Sequence, residues 1–166
     1  MVKQYYLNNK IKQDMNGVLI YKSRYGTTQQ YTEWIGKALD LRLHDPDGVS
    51  QQELAAYDFL VIGTPVYFDK MLMRDWLYQH KAFLQQKQVF LFVVCLASPY
   101  ERAKQDQIIN NNVPEGLIDP EHIFFLPGKP VIPSIITPCK SDVIQEVNIV
   151  TLVITIKKMV AEATEL

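Results

Sequence analysis

Short apolar runs alternate along the chain with longer segments in which apolar residues recur at helical spacing. The runs at residues 18–21, 57–63 and 89–96 are continuous and rich in β-branched and aromatic residues. This pattern is typical of strands that are buried on both faces of a sheet. Two weaker runs, at residues 41–44 and 122–126, bring the number of predicted strands to five.

Helix signals fill the segments between the predicted strands. Amphipathic helix patterns occupy residues 27–39, 71–84 and 142–161. Ser50 followed by Glu53 matches a capping box, which predicts a short helix that ends near residue 56. The stretch 98–101 places a serine cap, a proline and an acidic residue at the start of another helix.

Strands that alternate with helices predict an α/β fold, a doubly wound three-layer sandwich around a five-stranded parallel sheet. Ligands of such folds bind beyond the carboxyl ends of the strands. The candidate site therefore lies in the loops after the first, third and fourth strands, at residues 22–28, 64–70 and 97–100. We expect residues 15–166 to form a single domain and the polar residues 1–14 to be a flexible extension.

Composition narrows the functional classes. The net charge is −1, so no basic surface indicates nucleic-acid binding. Cys95 and Cys139 are far apart and form no C-x-x-C pair, which argues against a disulfide framework or a zinc site and favours a reducing, cytoplasmic compartment. We expect no membrane-spanning helix and no signal peptide, because no apolar run is long enough and the first residues are polar.

The loop after the first strand reads KSRYGTT and combines hydroxyl groups with a glycine. Ser23, Thr27 and Thr28 supply the hydroxyls, and Gly26 allows close approach of the backbone. The next helix begins here, so its free N–H groups and the positive end of its dipole point at the same place. This combination suits a phosphate monoester.

Positive charge near this loop comes from Lys22 or Arg24, although side-chain alternation points only one of them inward. The loop has a second interpretation, which is an ordinary strand-to-helix turn. In that interpretation Thr27 caps the helix and Gln30 closes a capping box. The residues of the loop alone leave both interpretations open.

Other phosphate sites are excluded by their sequence patterns. The chain contains neither the P-loop pattern G-x-x-x-x-G-K-[ST] nor the dinucleotide fingerprint G-x-G-x-x-G. A receiver domain needs carboxylates at its strand ends to hold Mg²⁺, but here those ends are Lys22-Ser23 and Gly63-Thr64. A cysteine-dependent phosphatase needs a thiol within the loop, and this loop has none.

Three stretches, VLIYKSRYGTTQQYTEWIG, YDFLVIGTPVYFDK and FLFVVCLASPYE, resemble the flavodoxin family in their order and spacing. Within that superfamily they look most like the flavodoxin-domain proteins related to menaquinone-dependent protoporphyrinogen dehydrogenase. The resemblance covers residues 15–100 well and the remainder in outline. It implies the strand order 2-1-3-4-5, and it implies FMN as the cofactor.

The resemblance also assigns roles to the three loops. The first would wrap the FMN phosphate, the second would lie along one side of the isoalloxazine ring, and the third along its other side or polar edge. The residues so assigned are Ser23, Arg24, Tyr25, Gly26, Thr27, Thr28, Thr64, Pro65, Val66, Tyr67, Phe68, Asp69, Ala97, Ser98 and Tyr100. A flat, apolar flavin with a polar rim favours aromatic stacking together with backbone donors and acceptors.

Tyr67 is the best candidate to stack on the flavin, ahead of Phe68 and Tyr100. Phe68 has a second interpretation as a core residue, and Tyr100 as a surface residue in a first helical turn.

Relatives often have glycine where this chain has Asp69, so that a backbone carbonyl can rotate toward N5 of the reduced flavin. Aspartate tolerates positive φ better than most residues, but its carboxylate would repel an anionic reduced flavin. Cys95, inside a buried strand, is predicted to be a structural thiol.

These features predict an FMN-dependent oxidoreductase that passes electrons through the flavin to or from a quinone, a porphyrinogen or a redox partner protein. No residue is predicted to be a mandatory acid or base, and none a metal ligand. Two alternatives stay open, a non-enzymatic electron carrier and a flavodoxin-fold protein that has lost FMN. Dedicated carriers tend to be strongly acidic, which steers them to basic partners, whereas this chain is nearly neutral.

The C-terminal third is the least distinctive part of the sequence. The proline-rich residues 127–138 predict either a connection at the sheet edge or a lid beside the flavin. The final helix is apolar around much of its circumference, which burial in the core or in a homodimer interface would explain. Peripheral contact with a membrane is another explanation, with Lys157 and Lys158 at the edge of the contact.

Overall fold

The computed structural model describes residues 15–96, 101–129 and 143–163. Its parallel strands are β1 (Gly17–Tyr21), β2 (Arg42–His44), β3 (Phe59–Tyr67), β5 (Gln88–Cys95) and β6 (Ile123–Pro127). A two-residue strand, β4 (Lys70–Met71), pairs antiparallel with the end of β3. The order across the sheet is β2-β1-β3-β5-β6, which confirms the predicted order 2-1-3-4-5 for the parallel strands.

Helices follow the strands and cover both faces of the sheet. They are α1 (Thr27–Leu39), α2 (Gln51–Leu54), α3 (Arg74–Gln79), α4 (Lys81–Leu84), α5 (Arg102–Asn112) and α6 (Val150–Ala163). Short 3-10 turns occupy Pro46–Gly48, Pro120–His122 and Glu146–Ile149. The predicted capping box opens α2, because the Ser50 hydroxyl accepts from the Glu53 N–H and the Glu53 carboxylate accepts from the Ser50 N–H. The helix then ends at Leu54, two residues earlier than predicted.

Alternation of side chains along the strands divides the core into two apolar clusters, one on each face of the sheet. The cluster that contains Ile20 and Ile62 packs against α2, α3, α4 and α5. The cluster that contains Leu19 and Val61 packs against α1 and α6. Strands buried on both faces explain the continuous apolar runs of the sequence and confirm the three-layer α/β architecture.

The predicted helix at residues 71–84 is wrong in its first turn and in its middle. Met71 belongs to β4, and the helical part is divided at His80 into α3 and α4. The ring Nδ1 of His80 lies 2.9 Å from the Trp76 carbonyl oxygen, which also accepts the His80 N–H at 3.0 Å. The His80 backbone leaves the helical region, with φ −103° and ψ 14°. The helical spacing of apolar residues therefore did not reveal the break in the helix.

The final helix begins later than predicted. A 3-10 turn at Glu146–Ile149 precedes α6, which begins at Val150. Leu152 and Ile156 are buried, whereas Val150 and Ile154 are exposed at 45% and 60%, so burial in the core accounts for one side of this helix. The homodimer and membrane explanations of the other side stay predictions. No helix in the described part of the chain is long and apolar enough to cross a membrane.

Tyr31 connects α1 to two later segments of the chain. Its buried ring ends in a hydroxyl that donates to the Pro127 carbonyl at 2.7 Å and accepts from Asn148 Nδ2 at 3.1 Å. Burial raises the pKa of this phenol, and the Asn148 hydrogen bond opposes the shift. The helix that follows the first loop is thereby joined to the end of β6 and to the turn before α6.

Candidate functional site

A cleft of about 250 Å³ lies at the carboxyl edge of the sheet. It opens beyond β1 and β3, where the chain changes its direction of winding, and this is the place where doubly wound sheets bind ligands. The residues that line it are Tyr25, Thr27, Thr28, Pro65, Val66, Tyr67, Val94, Cys95, Leu96, Gly128 and Lys129. The first two predicted loops therefore meet in one place.

The first loop, residues 22–28, turns into α1 through a glycine. Gly26 is the N-cap of α1 with φ 90°, a left-handed conformation that favours glycine. The Ser23 hydroxyl accepts from the N–H groups of Gly26 at 3.2 Å and Gln29 at 3.3 Å. The predicted Thr27 cap is wrong, because Gly26 is the cap and the Gln30 N–H donates to its carbonyl.

Two threonines of this loop line the cleft and have hydrogen-bond donors without a protein partner among the described residues. Within the described residues, no hydrogen bond uses the N–H groups or the hydroxyls of Thr27 and Thr28. Thr28 is only 1% exposed, and both threonines line the cleft. The first turn of α1 contains no acidic residue. Free donors at a helix N-terminus without a competing carboxylate favour an anion.

The two basic residues of the loop have different surroundings. The Lys22 ammonium pairs with the Asp47 carboxylate at 3.4 Å. The guanidinium carbon of Arg24 lies 5.7 Å from the centre of the Tyr67 ring, which lines the cleft. Of these two residues Arg24 is the one near the cleft, while Lys22 pairs with a carboxylate. Lys129, which lines the cleft, is a further cation there.

Tyr67 forms an aromatic wall of the cleft. Its ring meets the half-exposed ring of Tyr25 edge to face, with centres 5.5 Å apart. Burial raises the pKa of the Tyr67 phenol, the nearby Tyr25 phenol raises it further, and Arg24 opposes the shift. The phenol is therefore neutral at physiological pH and presents an uncharged ring with a polar tip.

The second predicted loop is a hairpin, which corrects the prediction for residues 64–67. Thr64 and Pro65 continue β3 beside β5, and Val66 and Tyr67 pair with β4. Only Phe68 and Asp69 form the turn, and both have positive φ, at 51° and 62°. Such a two-residue turn joins twisted antiparallel strands well, but the conformation is unfavourable for phenylalanine.

The hairpin divides its predicted site residues into two groups. Pro65, Val66 and Tyr67 line the cleft. Thr64 does not line it, because its side chain is fully buried and its hydroxyl accepts from the Met73 N–H at 3.1 Å. Phe68 is fully exposed at the tip of the turn, so its alternative interpretation as a core residue is wrong.

Asp69 adopts the positive φ that aspartate was expected to tolerate, and its carboxylate has a counter-ion. The Lys104 ammonium lies 2.8 Å from each of the two carboxylate oxygens. The Asp69 carbonyl oxygen accepts from Asn112 Nδ2 at 2.8 Å. The lysine offsets the negative charge of the Asp69 carboxylate, on which the predicted repulsion of a reduced flavin rested.

Five lining residues were missing from the predicted site. They are Val94, Cys95, Leu96, Gly128 and Lys129. They lie at the carboxyl end of β5 or directly after β5 and β6, so the rule that ligands bind beyond strand ends would have found them only if it had included the last strand residues and the final strand. Cys95 is buried within β5, as predicted. The predicted Ala97, Ser98 and Tyr100, and most of the proline-rich segment, lie outside the described residues.

The residues of the cleft fit FMN. Unpartnered donors and Arg24 suit its phosphate, the Tyr67 and Tyr25 rings suit a flat aromatic group, and Pro65 adds an apolar wall. Across the described ranges, no cluster of three histidine, cysteine or acidic residues could hold a metal ion.

Comparisons with known proteins agree with this assignment. The family model of the flavodoxin domain matches residues 18–135. Similar solved structures include a flavodoxin from the domain Archaea, with 18% identity over 89% of this chain and 99% of that chain and a TM-score of 0.52. Oxidised flavodoxin 2 from Bacillus cereus has 15% identity over 86% of this chain and 99% of that chain and a TM-score of 0.54.

A larger protein shares the fold as well. The Flv1 flavodiiron core from Synechocystis sp. PCC6803 has 13% identity over 99% of this chain and 40% of that chain, with a TM-score of 0.53. At these identities the likenesses show the fold alone, and they do not single out the protoporphyrinogen dehydrogenase group. No curated protein sequence matches the chain significantly. The match of the family model to most of the chain shows that it belongs to the flavodoxin domain family, which binds FMN and transfers electrons.

Proposed function

We propose that the chain is an FMN-dependent oxidoreductase that exchanges electrons with a small planar substrate such as a quinone or a porphyrinogen. The observation that carries the proposal is that the unpartnered donors at the start of α1 and the aromatic wall of Tyr67 belong to one cleft. Bound FMN would supply the redox chemistry, and the chain supplies binding, orientation and partial exclusion of water.

The first loop holds the phosphate in this proposal. The N–H groups and hydroxyls of Thr27 and Thr28 donate to it, and Arg24 adds a charge-assisted contact. Gly26 lets the backbone approach, because its φ of 90° turns the chain without a side chain in the way. Tyr67 and Pro65 flank the flavin ring on the hairpin side.

The rim of the cleft favours a small aromatic substrate over a charged protein. Leu96 is 66% exposed and Tyr25 is 58% exposed, so much of the opening is apolar, although the exposed Lys129 also lines it. The chain has a net charge of only −1, which gives little long-range attraction to a basic partner. The sequence resemblance to menaquinone-dependent protoporphyrinogen dehydrogenase relatives suggests the same substrate class.

A second candidate function is that of a non-enzymatic electron carrier. One observation favours it: among the described residues that line the cleft there is neither a carboxylate nor a histidine. A carrier needs no group that moves protons to or from a substrate, whereas a quinone reductase gains from one.

Purified protein tests both candidates. We expect a yellow preparation that keeps the visible absorbance of flavin through gel filtration. A colourless protein that also fails to quench the fluorescence of added FMN would contradict the enzyme and the carrier alike.

Enzyme and carrier differ in their need for a protein partner. The flavin-loaded protein is reduced chemically and mixed with a soluble quinone, and its reoxidation is followed by absorbance. The enzyme should reoxidise faster than free FMN at the same concentration. A rate no faster than that of free FMN would contradict the enzyme and favour the carrier.

A further inference from the structure

The hairpin beside the cleft is tied to α5 by a buried asparagine. Asn112, the last residue of α5, is 1% exposed. Its Oδ1 accepts from the Met71 N–H at 2.9 Å, and its Nδ2 donates to the Asp69 carbonyl at 2.8 Å. The same Nδ2 donates to the Ile108 carbonyl at 2.8 Å. One side chain therefore joins the turn of the hairpin and its second strand to the helix.

A second contact comes from the same face of α5. Lys104 precedes Asn112 by eight residues, so two helical turns separate them and their side chains lie on one face. The Lys104 ammonium contacts both carboxylate oxygens of Asp69. The backbone and the side chain of Asp69 are thus both held by this helix.

The turn needs such support, because its own residues do not favour its conformation. Phe68 and Asp69 have φ values of 51° and 62°, and positive φ is unfavourable for a bulky residue. Phe68 is fully exposed, so its burial does not offset the strain. A strained conformation persists only where the surrounding structure imposes it.

We propose that Asn112 and Lys104 are positioning residues of the FMN site. From α5 they fix the Phe68–Asp69 turn, and the turn fixes Tyr67, which pairs with Lys70 in the hairpin and lines the cleft. The aromatic wall is thereby set before the flavin arrives, which lowers the cost of ordering it on binding. The inference rests on the proposed placement of the flavin ring beside Tyr67.

The contacts of Asn112 and Lys104 with the hairpin are tested first in the absence of flavin. Asn112→Ala should raise the hydrogen-exchange rate of the Met71 amide by about tenfold, because that amide loses its acceptor. Lys104→Met should raise it by about threefold, because the lost ion pair is partly exposed. The controls are Asn111→Ala, an exposed neighbour, and Lys37→Met, an exposed lysine of α1. Unchanged exchange in Asn112→Ala would overturn the proposal.

Titration with FMN then tests the positioning role. We expect the Kd for FMN to rise by about tenfold in Asn112→Ala and by about threefold in Lys104→Met, while the controls stay within about twofold. The visible circular dichroism of the bound flavin at saturation should change in both variants, because the Tyr67 wall moves. Lys104→Met is the decisive variant, since loss of a surface ion pair has little effect on global stability.

The outcomes separate the inference from the proposed function. Faster exchange with an unchanged Kd and an unchanged flavin spectrum would overturn the positioning role while leaving the FMN site intact. Failure of the wild-type chain to bind FMN would overturn the proposed function and the positioning role together. In that case the exchange data alone would still show whether α5 holds the hairpin.

Discussion

The two sides of the cleft are built in opposite ways. On the side of the first loop, Thr27 and Thr28 line the cleft, and no described residue accepts from their N–H groups. On the hairpin side, the N–H groups of Met71, Leu72 and Met73 all have protein acceptors, two from side chains and one from the Pro65 carbonyl. The first loop leaves these N–H donors without a protein acceptor, whereas each of the hairpin donors has one.

This difference predicts that the first loop determines the affinity for FMN, whereas the hairpin determines the shape of the site. A donor that lacks a protein partner exchanges water for a stronger, charge-assisted hydrogen bond when an anion binds, so the first loop should supply most of the binding free energy. The hairpin gains no backbone hydrogen bond of this kind, but its fixed conformation reduces the entropy lost on binding. Mutations in the first loop should therefore act mainly by removing contacts with FMN, and mutations in the hairpin mainly by changing how well ordered the site is.

The double variant Gly26→Val/Thr28→Ala should have the largest effect on FMN binding, because it changes the first loop, where the free donors lie. Valine disfavours φ 90°, and alanine removes a hydroxyl that lines the cleft. We expect the Kd for FMN to rise by about a hundredfold or more, which corresponds to about 2.7 kcal/mol. Quenching of FMN fluorescence measures it.

A matched control for this variant is Gly48→Val/Thr155→Ala. Both of these residues lie outside the cleft lining, and a β-carbon at Gly48 meets no atom within 4 Å. The control should bind FMN as the wild type does. Equal affinities of the double variant and the wild type would refute the assignment of the first loop.

The two basic residues of the first loop should differ in how much they contribute to FMN binding. Arg24→Met should raise the Kd for FMN by about tenfold, about 1.4 kcal/mol, because Arg24 lies beside the cleft. Lys22→Met should change it by less than about twofold, since Asp47 already neutralises that charge. Titration at low and high salt measures both. Equal losses in the two variants would mean that the charge of the loop acts as a whole.

Phe68→Gly addresses the hairpin side and should act on stability. Glycine adopts the φ of 51° without strain, and the exposed ring leaves no cavity behind. We expect a gain of about 0.5–1 kcal/mol in the free energy of unfolding, measured by urea titration. A loss of stability would contradict a strained turn. The comparison variant is Tyr78→Gly, which places glycine within α3 and should destabilise the protein.

The smallest effect is expected at Tyr67, and it depends on pH. Because burial raises the pKa of this phenol above 10.0, the unfolded chain loses the proton first as the pH rises. Its contribution to stability is complete below pH 10 and is lost as the pH rises through the folded-state pKa. Tyr67→Phe should make the decline in unfolding free energy above pH 10 shallower. The exposed Tyr78→Phe serves as control, and equal slopes in both variants would contradict the shift.

The sheet could be predicted from the sequence because its signals are local. Continuous apolar runs specify buried strands, and the helical period of residues 27–39 gave the bounds of α1 correctly. The first loop could be predicted for the same reason, since its glycine and hydroxyls are contiguous. Parallel topology then brings separate strand ends to one edge.

The hairpin could not be predicted in this way, because its determinants are distant in the sequence. Asn112 is 41 residues from Met71, and Lys104 is 35 residues from Asp69. No local preference indicates that phenylalanine takes a positive φ, and no pattern tells which lysine will pair with an aspartate. The placement of Thr64 away from the cleft depends likewise on Met73, nine residues later.

The hydrogen bonds of Tyr31 have a consequence for the order of folding during synthesis. The first loop and α1 leave the ribosome well before the partners of the Tyr31 phenol, since Pro127 and Asn148 follow Tyr31 by 96 and 117 residues. The apolar face beneath α1 is completed by Leu152 and Ile156 of α6. The helix that follows the first loop is therefore made well before the segments that hold it, so a chain stalled between them would expose this face to chaperones.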